Sequence, residues 1–87
     1  MTLRVDITAT SLQQAIRRFV VDTFFIDDFD ADGSFLEDGI IDSTGMLELV
    51  TFVETTFNIK IADHELVPEN LDSLNKLAAF IERKQQR

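Results

Sequence analysis

Two Asp-Ser pairs, Asp42-Ser43 and Asp72-Ser73, each stand near the start of a predicted helix. A phosphate attached to a serine at such a position is stabilised by unpaired backbone N–H groups and by the positive end of the helix dipole. The commoner role of this serine is to cap the helix. Ser43 follows a Gly-Ile-Ile turn and a long loop, whereas Ser73 opens the terminal helix, where capping is a sufficient explanation. We therefore expect Ser43 to be the modifiable hydroxyl and Ser73 to be a cap.

The acidic stretch between the first two predicted helices has the opening of a calcium loop. Asp28, Asp30 and Asp32 with Gly33 match the first ligands and the glycine of an EF-hand. Position 12 of that motif, which should be a bidentate Glu, is Gly39. We favour a solvated acidic loop and assign no metal ligands, while a weak divalent-ion site stays open as the alternative.

Catalytic constellations are missing from the sequence. Cysteine is absent, so the chain has no thiolate zinc site and no cysteine nucleophile. His64 is the only histidine, and it has no second His or Cys with which to form a transition-metal site or a catalytic triad. Carboxylates are abundant, but without a nucleophile and base in a recognisable arrangement they do not indicate acid-base catalysis. We expect His64 to be an exposed helix residue and the protein not to be an enzyme.

The charge balance restricts the partners. Eight Lys and Arg against 16 Asp and Glu give a formal charge of −8, which disfavours nucleic-acid binding and favours a partner with a basic surface. No apolar run approaches the ~20 residues that span a bilayer, and residues 1–6 do not resemble a signal peptide. We expect a cytoplasmic protein without a membrane span.

The 87 residues suffice for a single domain, 1–87, with three regions. We expect an extended arm over residues 1–9, a helical bundle over 10–83 and a tail over 84–87. The first helix spans about 11–25, and Thr10 with Gln13 fits a capping box at its start.

The second helix is predicted over Ser43 to Phe57, capped by Asp42 or Ser43. Its apolar residues at helical spacing are Met46, Leu49, Val50, Val53 and Phe57, with Leu47 and Phe52 beside that stripe. Gly45 is unusual there, because glycine costs about 1 kcal/mol relative to alanine inside a helix. Close approach of a partner or of an attached group, or simple drift, would explain it.

A long loop separates these helices, and short elements follow them. The loop, residues 26–42, is expected to be pinned by its apolar side chains, Phe29, Phe35, Leu36 and Ile40. One or two turns of helix are expected over 63–67, and a last helix begins at Asn70 or Asp72. The predicted core comprises Leu12, Ile16, Phe19, Leu49, Val50, Val53, Phe57, Leu74, Leu77 and Ile81.

From Leu12 to Ile81 the chain resembles the acyl carrier protein family, which includes peptidyl and aminoacyl carriers. The residues that carry the resemblance are Gly39, Asp42-Ser43, Glu48-Leu49-Val50, Glu54, Phe57, Ile59-Lys60-Ile61 and the stretch from Pro68 to Leu74. The resemblance implies an all-α bundle of three main helices plus one short helix, with a long loop between the first and second helices. It also implies a covalent 4'-phosphopantetheine on Ser43, beside Asp42, which would make the protein a phosphoprotein and supply the thiol that the chain lacks.

The same resemblance implies a set of partner enzymes. These are a phosphopantetheinyl transferase, an adenylate-forming acyl or aminoacyl ligase, and a downstream acyltransferase or synthase, all acting on a monomeric carrier. Asp42, Glu48 and Glu54 are candidates for steering basic partners. The candidate contact residues are Thr44, Met46, Glu48, Thr51, Glu54 and Ile61, and some core residues line the cleft that receives the bound chain in family members.

The residues around Ser43 differ from the pattern of fatty-acid carriers, and this difference indicates a subclass of the family. Thr44 and Gly45 follow the serine, and Thr51, Thr55 and Thr56 reduce the charge of the second helix, which is more similar to D-alanyl and stand-alone carriers than to fatty-acid carriers. We therefore expect delivery of an acyl or aminoacyl thioester in specialised metabolism rather than in housekeeping fatty-acid synthesis. The alternative is a small acidic helical interaction or calcium-responsive module without a prosthetic group.

Overall fold

The computed structural model describes the backbone of residues 7–86 and the side chains of residues 11–86. In chain order its elements are α1 (Ile7–Phe24), α2 (Ser43–Phe57), a short 3-10 helix (Asp63–Glu65), α3 (Pro68–Leu71) and α4 (Leu74–Gln85). The described chain is all-helical, with three longer helices and one single-turn helix, so the predicted fold class is confirmed. No helix in this part of the chain is both long and apolar enough to cross a membrane.

Helix α1 begins earlier than the sequence pattern predicted. It starts at Ile7, so Thr10 lies inside the helix and residues 7–9 are not part of an extended arm. No proline or glycine lies between Ile7 and Thr10 to interrupt the backbone hydrogen bonds, so the helix continues through them. The rest of the predicted arm lies outside the described residues.

Helix α1 ends in a left-handed residue that is not glycine. Phe25 has φ 57°, and the Ile26 N–H donates to the carbonyl of Val21 at 3.3 Å, as in a Schellman motif. The left-handed conformation costs an ordinary L-residue about 1–2 kcal/mol. The Phe25 side chain is also 91% exposed.

Helix α2 has the predicted bounds. The Asp42 carboxylate accepts a hydrogen bond from the Gly45 N–H at 2.7 Å, so Asp42 is the N-cap. At the other end Asn58 adopts φ 57° and its N–H donates to the carbonyl of Glu54. Left-handed asparagine is a common helix terminator, which explains the end after Phe57.

The start of the last helix was predicted wrongly. The chain makes one turn at α3 and is capped again at Ser73, whose Oγ accepts from the Lys76 N–H at 3.1 Å. Asp72 does not cap α4, because its carboxylate binds the Leu36 N–H at 3.0 Å instead. The helix also continues past the expected tail boundary, since Lys84 lies in its last turn.

The core lies where α1, α2 and α4 meet, and α3 packs against α4. Seven predicted core residues are buried: Leu12, Ile16, Leu49, Val53, Leu74, Leu77 and Ile81. Phe19, Val50 and Phe57 are only partly buried and pack around this core. Six buried hydrophobic residues were not in the predicted set: Val20, Phe35, Ile41, Leu71, Ala78 and Phe80.

The loop between α1 and α2 is tied to the start of α4. The Phe35 N–H donates to the Asp72 carbonyl at 2.9 Å, and the Asn75 N–H donates to the Ala31 carbonyl at 3.0 Å. The Phe35 side chain is fully buried. Of the predicted pins, Phe29, Phe35 and Ile40 pack on the core, but Leu36 is 46% exposed and does not pin the loop.

Candidate functional site

Ser43 is the first residue of α2 and its side chain is exposed. Because Asp42 accepts the hydrogen bond from the Gly45 N–H, the helix is capped without the serine. Within the described residues, Ser43 Oγ takes part in no hydrogen bond. The interpretation of Ser43 as merely a cap is therefore wrong, and its hydroxyl is accessible at the positive end of α2.

The second Asp-Ser pair is used in the opposite way. Ser73 is 2% exposed and caps α4, as expected. Asp72 accepts hydrogen bonds from the Leu36 N–H and from the Ser34 hydroxyl, and so holds the long loop. In the Asp-Ser pair at α2 the serine hydroxyl is therefore exposed, whereas in the pair at α4 it is buried and used as the helix cap.

Gly45 is required by the packing of α1 against α2. A Cβ at this position would lie 2.7 Å from the Phe24 ring and 3.1 Å from the Ile41 side chain. The close approach that explains this glycine is therefore within the chain, rather than to a partner or an attached group. It places the end of α1 beside the start of α2, two residues from Ser43.

A small groove of about 170 Å³ lies beside Ser43. It runs between α2, the long loop and the segment around α3. Its other lining residues are all apolar: Leu36, Met46, Leu47, Val50, Leu66 and Leu71. The candidate attachment site thus opens onto an apolar surface rather than a polar pocket.

The structure separates the predicted partner-contact residues into two groups. Thr44, Glu48 and Thr51 are exposed on α2. Glu54 is committed to the chain itself, because its carboxylate accepts the Ile61 N–H at 2.8 Å. This hydrogen bond fixes the turn after α2, and it leaves Glu54 less suited to steering a partner than Glu48.

The two remaining apolar candidates have mixed positions. Met46 is half-buried, packs against the core and also lines the groove at Ser43. Ile61 is half-buried and packs against the core. Met46 is therefore placed to contact what binds near Ser43, while Ile61 is mainly a packing residue.

The acidic loop uses its carboxylates internally. Asp28 pairs with Arg17 and accepts from the Phe29 N–H at 2.8 Å. This backbone N–H and then the Arg17 side chain hold the pKa of Asp28 below its ordinary value. Asp30 accepts from the Asp32 N–H at 3.1 Å, and Asp32 accepts from the Asn75 side chain.

These contacts account for the three aspartates of the calcium-like motif by intramolecular bonds. In the part of the chain that the structure describes, no group of three His, Cys, Asp or Glu side chains is arranged to hold a metal ion. His64 is exposed in the 3-10 helix.

Sequence reasoning missed the exposed leucines at the groove. Leu36 was expected to be a pin, Leu66 was not singled out, and Leu47 was noted only as lying beside the apolar stripe of α2. The position of Leu47 outside that stripe was a usable signal, because an apolar residue on the exposed side of an amphipathic helix often marks a contact surface.

The structure is thus a helical bundle in which an exposed serine hydroxyl, not used for capping, lies at the start of the second helix. No family model matches the chain. An acyl carrier protein of Akkermansia muciniphila is 35% identical over 77 residues, which cover 86% of this chain and 94% of that protein. A D-alanyl carrier protein of Streptococcus equi subsp. zooepidemicus is 33% identical over 66 residues, 74% of this chain and 84% of that protein.

The chain belongs to the acyl carrier protein family. It is a carrier protein, and such proteins are not enzymes themselves. The resemblance drawn from the Asp42-Ser43 pair and its surrounding motif is thereby confirmed at the level of the family.

Proposed function

We propose that this protein carries an acyl or aminoacyl group as a thioester on a 4'-phosphopantetheine arm attached to Ser43. The observation that carries the proposal is the exposed Ser43 hydroxyl, which is spared from capping because Asp42 binds the Gly45 N–H. The residues present fit the group, since a phosphodiester on Ser43 lies at the N-terminus of a 15-residue helix.

The attachment step uses the serine oxygen as the nucleophile. A phosphopantetheinyl transferase supplies the base and a magnesium ion, and coenzyme A is the donor. Ser43 Oγ forms a bond to the phosphorus that bears the pantetheine, the diphosphate bond breaks, and 3',5'-ADP leaves while the serine proton passes to the base. The arm supplies the thiol that forms the thioester, which this chain without cysteine does not provide.

The other partners are an adenylate-forming acyl or aminoacyl ligase and a downstream acyltransferase or synthase. The similarity to D-alanyl carrier proteins supports an aminoacyl or other specialised cargo. The threonine-rich exposed face of α2, which includes Thr51 and Thr55, supports the same subclass. Asp42 would position the attached group by capping the helix turn that bears it. The partners would contact Thr44, Met46, Glu48 and Thr51, and Glu54 and Ile61 would have smaller roles.

The test is the intact mass after incubation with coenzyme A, magnesium and a broad-specificity phosphopantetheinyl transferase. We expect wild type to gain one phosphopantetheinyl unit and Ser43→Ala to gain none. Ser11→Ala, which changes another exposed serine, and Ser73→Ala, which removes the α4 cap at a cost of about 1 kcal/mol, should both gain the unit.

An unrelated carrier protein, incubated with the same transferase, serves as the positive control. If that control is modified and this protein is not, the proposed attachment is wrong. Retention of the mass gain in Ser43→Ala would place the arm on another residue. Absence of any mass gain would favour an acidic interaction module without a prosthetic group, whereas a retained gain would keep the carrier function and contradict only the assignment to Ser43.

A further inference from the structure

Asp72, at the end of α3, forms hydrogen bonds with three consecutive residues of the long loop. Its carboxylate accepts from the Ser34 hydroxyl and from the Leu36 N–H, the latter at 3.0 Å. Its backbone carbonyl accepts the Phe35 N–H at 2.9 Å. Because Ser73 caps α4, the Asp72 carboxylate is not needed at that helix start and is available for the loop. One residue therefore holds the loop from 36 to 38 positions away along the chain.

The three loop residues held in this way begin a turn that leads to α2, and we call residues 34–41 the attachment turn. The Ser34 hydroxyl oxygen accepts the N–H of the residue three positions later at 3.0 Å. The Phe35 carbonyl accepts the N–H groups of Ile40 at 2.9 Å and of Ile41 at 3.2 Å. Both of these acceptors belong to residues that are themselves held, so the course of the turn depends on the anchor at its start.

Ile41 connects the attachment turn to the start of α2. Its side chain is buried, and a Cβ at Gly45 would lie 3.1 Å from it, so Ile41 packs against the first turn of the helix. Asp42, the next residue, caps α2 through the Gly45 N–H, and Ser43 follows directly. The hydroxyl of Ser43 is therefore two residues from a position that the attachment turn fixes.

A buried side chain alone would not fix the direction of the attachment turn. Phe35 is fully buried, which anchors one residue in the core, but the chain on either side of a single anchor can still rotate about it. Asp72 binds the residues before and after this anchor, Ser34 and Leu36. Leu36 has no packing anchor of its own, because its side chain is 46% exposed. The hydrogen bonds to Asp72 therefore set the direction in which the turn approaches α2.

We propose that Asp72 is a positioning residue for the modification of Ser43. This inference rests on the proposed function, and it concerns a side chain whose hydrogen bonds go to the loop rather than to the serine. By fixing the attachment turn, Asp72 holds the Ser43 hydroxyl in the orientation from which its oxygen attacks the phosphorus that bears the pantetheine. Such an attack requires reacting atoms ~3–3.5 Å apart and aligned, and a displacement of ~1 Å can lower the rate about 100-fold.

The first measurement is kcat and KM for modification of the full-length apo protein by a phosphopantetheinyl transferase with coenzyme A. Asp72→Ala should lower kcat at least about 10-fold and leave KM within about 2-fold of wild type, because the side chains exposed at the start of α2 are unchanged. Asp72→Asn should recover kcat to within about 3-fold of wild type, since its amide oxygen still accepts the Leu36 N–H.

Ser73→Ala is the matched control at the same junction. It removes the cap of α4 and lowers the free energy of unfolding, but it leaves the bonds between Asp72 and the loop in place. Its kcat should stay within about 2-fold of wild type. Ser34→Ala removes one of the three bonds and should lower kcat about 3-fold. Circular dichroism checks folding; if Asp72→Ala is unfolded, an unchanged kcat in Ser34→Ala would contradict the proposal.

A second measurement follows the attachment turn in the unmodified protein. Hydrogen exchange recorded by NMR should show the N–H groups of Ile40 and Ile41 exchanging at least about 10-fold faster in Asp72→Ala, relative to the N–H of Ile81 in α4. The Ile81 rate corrects for a change in global stability. In Ser73→Ala the ratio should equal that of wild type, because the lost cap weakens the fold without releasing the turn.

The results separate the positioning role from the proposed function. A kcat of Asp72→Ala equal to that of wild type would overturn the positioning role. So would an equal loss in Ser73→Ala, a loss confined to KM, or an unchanged exchange ratio for Ile40 and Ile41. If wild type gains no phosphopantetheine, the attachment at Ser43 is wrong and the positioning role is withdrawn with it. If wild type is modified and both Asp72 variants match it, only the positioning role is wrong.

Discussion

The hydroxyl of Ser43 is accessible because its neighbour performs the task that serine usually performs at a helix start. Asp42 and Ser43 could both cap α2 by their chemistry, and the sequence pattern left the choice open. The choice depends on which of the two side chains reaches the Gly45 N–H, and in the structure that side chain is Asp42. The capping role of Ser73 was predictable from its place at the opening of the terminal helix, although Asp72 beside it is also a good cap.

Gly45 is the residue where a substitution tests this packing most directly. Gly45→Ala should lower the free energy of unfolding by about 1 kcal/mol, since a clash of ~1–3 kcal/mol with the Phe24 ring outweighs a gain of ~1 kcal/mol in helix propensity. Urea denaturation followed by circular dichroism measures the change.

The background Phe24→Leu serves as the control for that prediction. Removing the ring should relieve most of the clash, so Gly45→Ala should cost less in Phe24→Leu than in wild type. A Gly45→Ala protein more stable than wild type would mean that helix propensity alone decides this position.

At the scale of elements, the segment after α2 is held by α4 through one ion pair. The Lys84 ammonium binds the Glu65 carboxylate at 2.9 Å, and the same carboxylate accepts the Ala62 N–H at 2.9 Å. Asn70, which donates to the Glu65 carbonyl, also accepts from Arg83. The last turn of α4 therefore fixes the segment that carries Leu66.

This contact predicts a pH dependence of stability. The Ala62 N–H and then Lys84 hold the pKa of Glu65 below its ordinary value of 4.5. A carboxyl group with a lowered folded pKa stabilises the fold above its unfolded pKa, and this contribution is lost as pH falls through the folded pKa. Glu65→Gln should therefore lose stability relative to wild type near pH 7, and the difference should shrink below about pH 4.5.

Denaturation of both proteins between pH 7 and pH 3 provides the measurement. Glu69→Gln is the matched control, because it removes an exposed carboxylate from the neighbouring α3. A difference between wild type and Glu65→Gln that stays constant down to pH 3 would contradict the assigned role of Glu65.

The elements differ in how far the sequence could predict them. The bounds of α2 followed from its apolar spacing and from Asn58 after Phe57. The start of α4 did not, because Asp72 and Ser73 are both good caps and Asp72 is diverted to the Leu36 N–H, 36 residues earlier in the chain. Phe35 and Ile41 are buried without any period in the sequence, since a loop buries side chains according to its path across the core.

At the scale of the whole molecule, the formal charge of −8 makes self-repulsion a destabilising term. Only two salt bridges occur among the described residues, so most carboxylates repel one another without a nearby counter-charge. The composition was sufficient to predict this property, because net charge does not depend on how the chain folds.

Stability should therefore rise with salt. Raising NaCl from ~10 mM to ~300 mM shortens the Debye length from ~30 Å to below 10 Å, and repulsion between exposed carboxylates weakens. If the stabilisation is ~1 kcal/mol, Tm rises by ~4–8 °C for a domain of this size. Thermal denaturation in NaCl and in KCl should give the same rise, whereas a flat or falling Tm would show that the two salt bridges outweigh the repulsion.

The capping of α2 by Asp42 has a consequence for how partner enzymes distinguish loaded from unloaded protein. Converting the Ser43 hydroxyl to an ester would break no hydrogen bond of the described chain, so attachment itself should leave the capping of α2 unchanged. A substituent on Ser73, by contrast, would remove the cap of α4 and lower the free energy of unfolding. Under the proposed attachment, partner enzymes would meet the same capped start of α2 with and without the arm, and the distinction between the two forms would rest on the attached group itself.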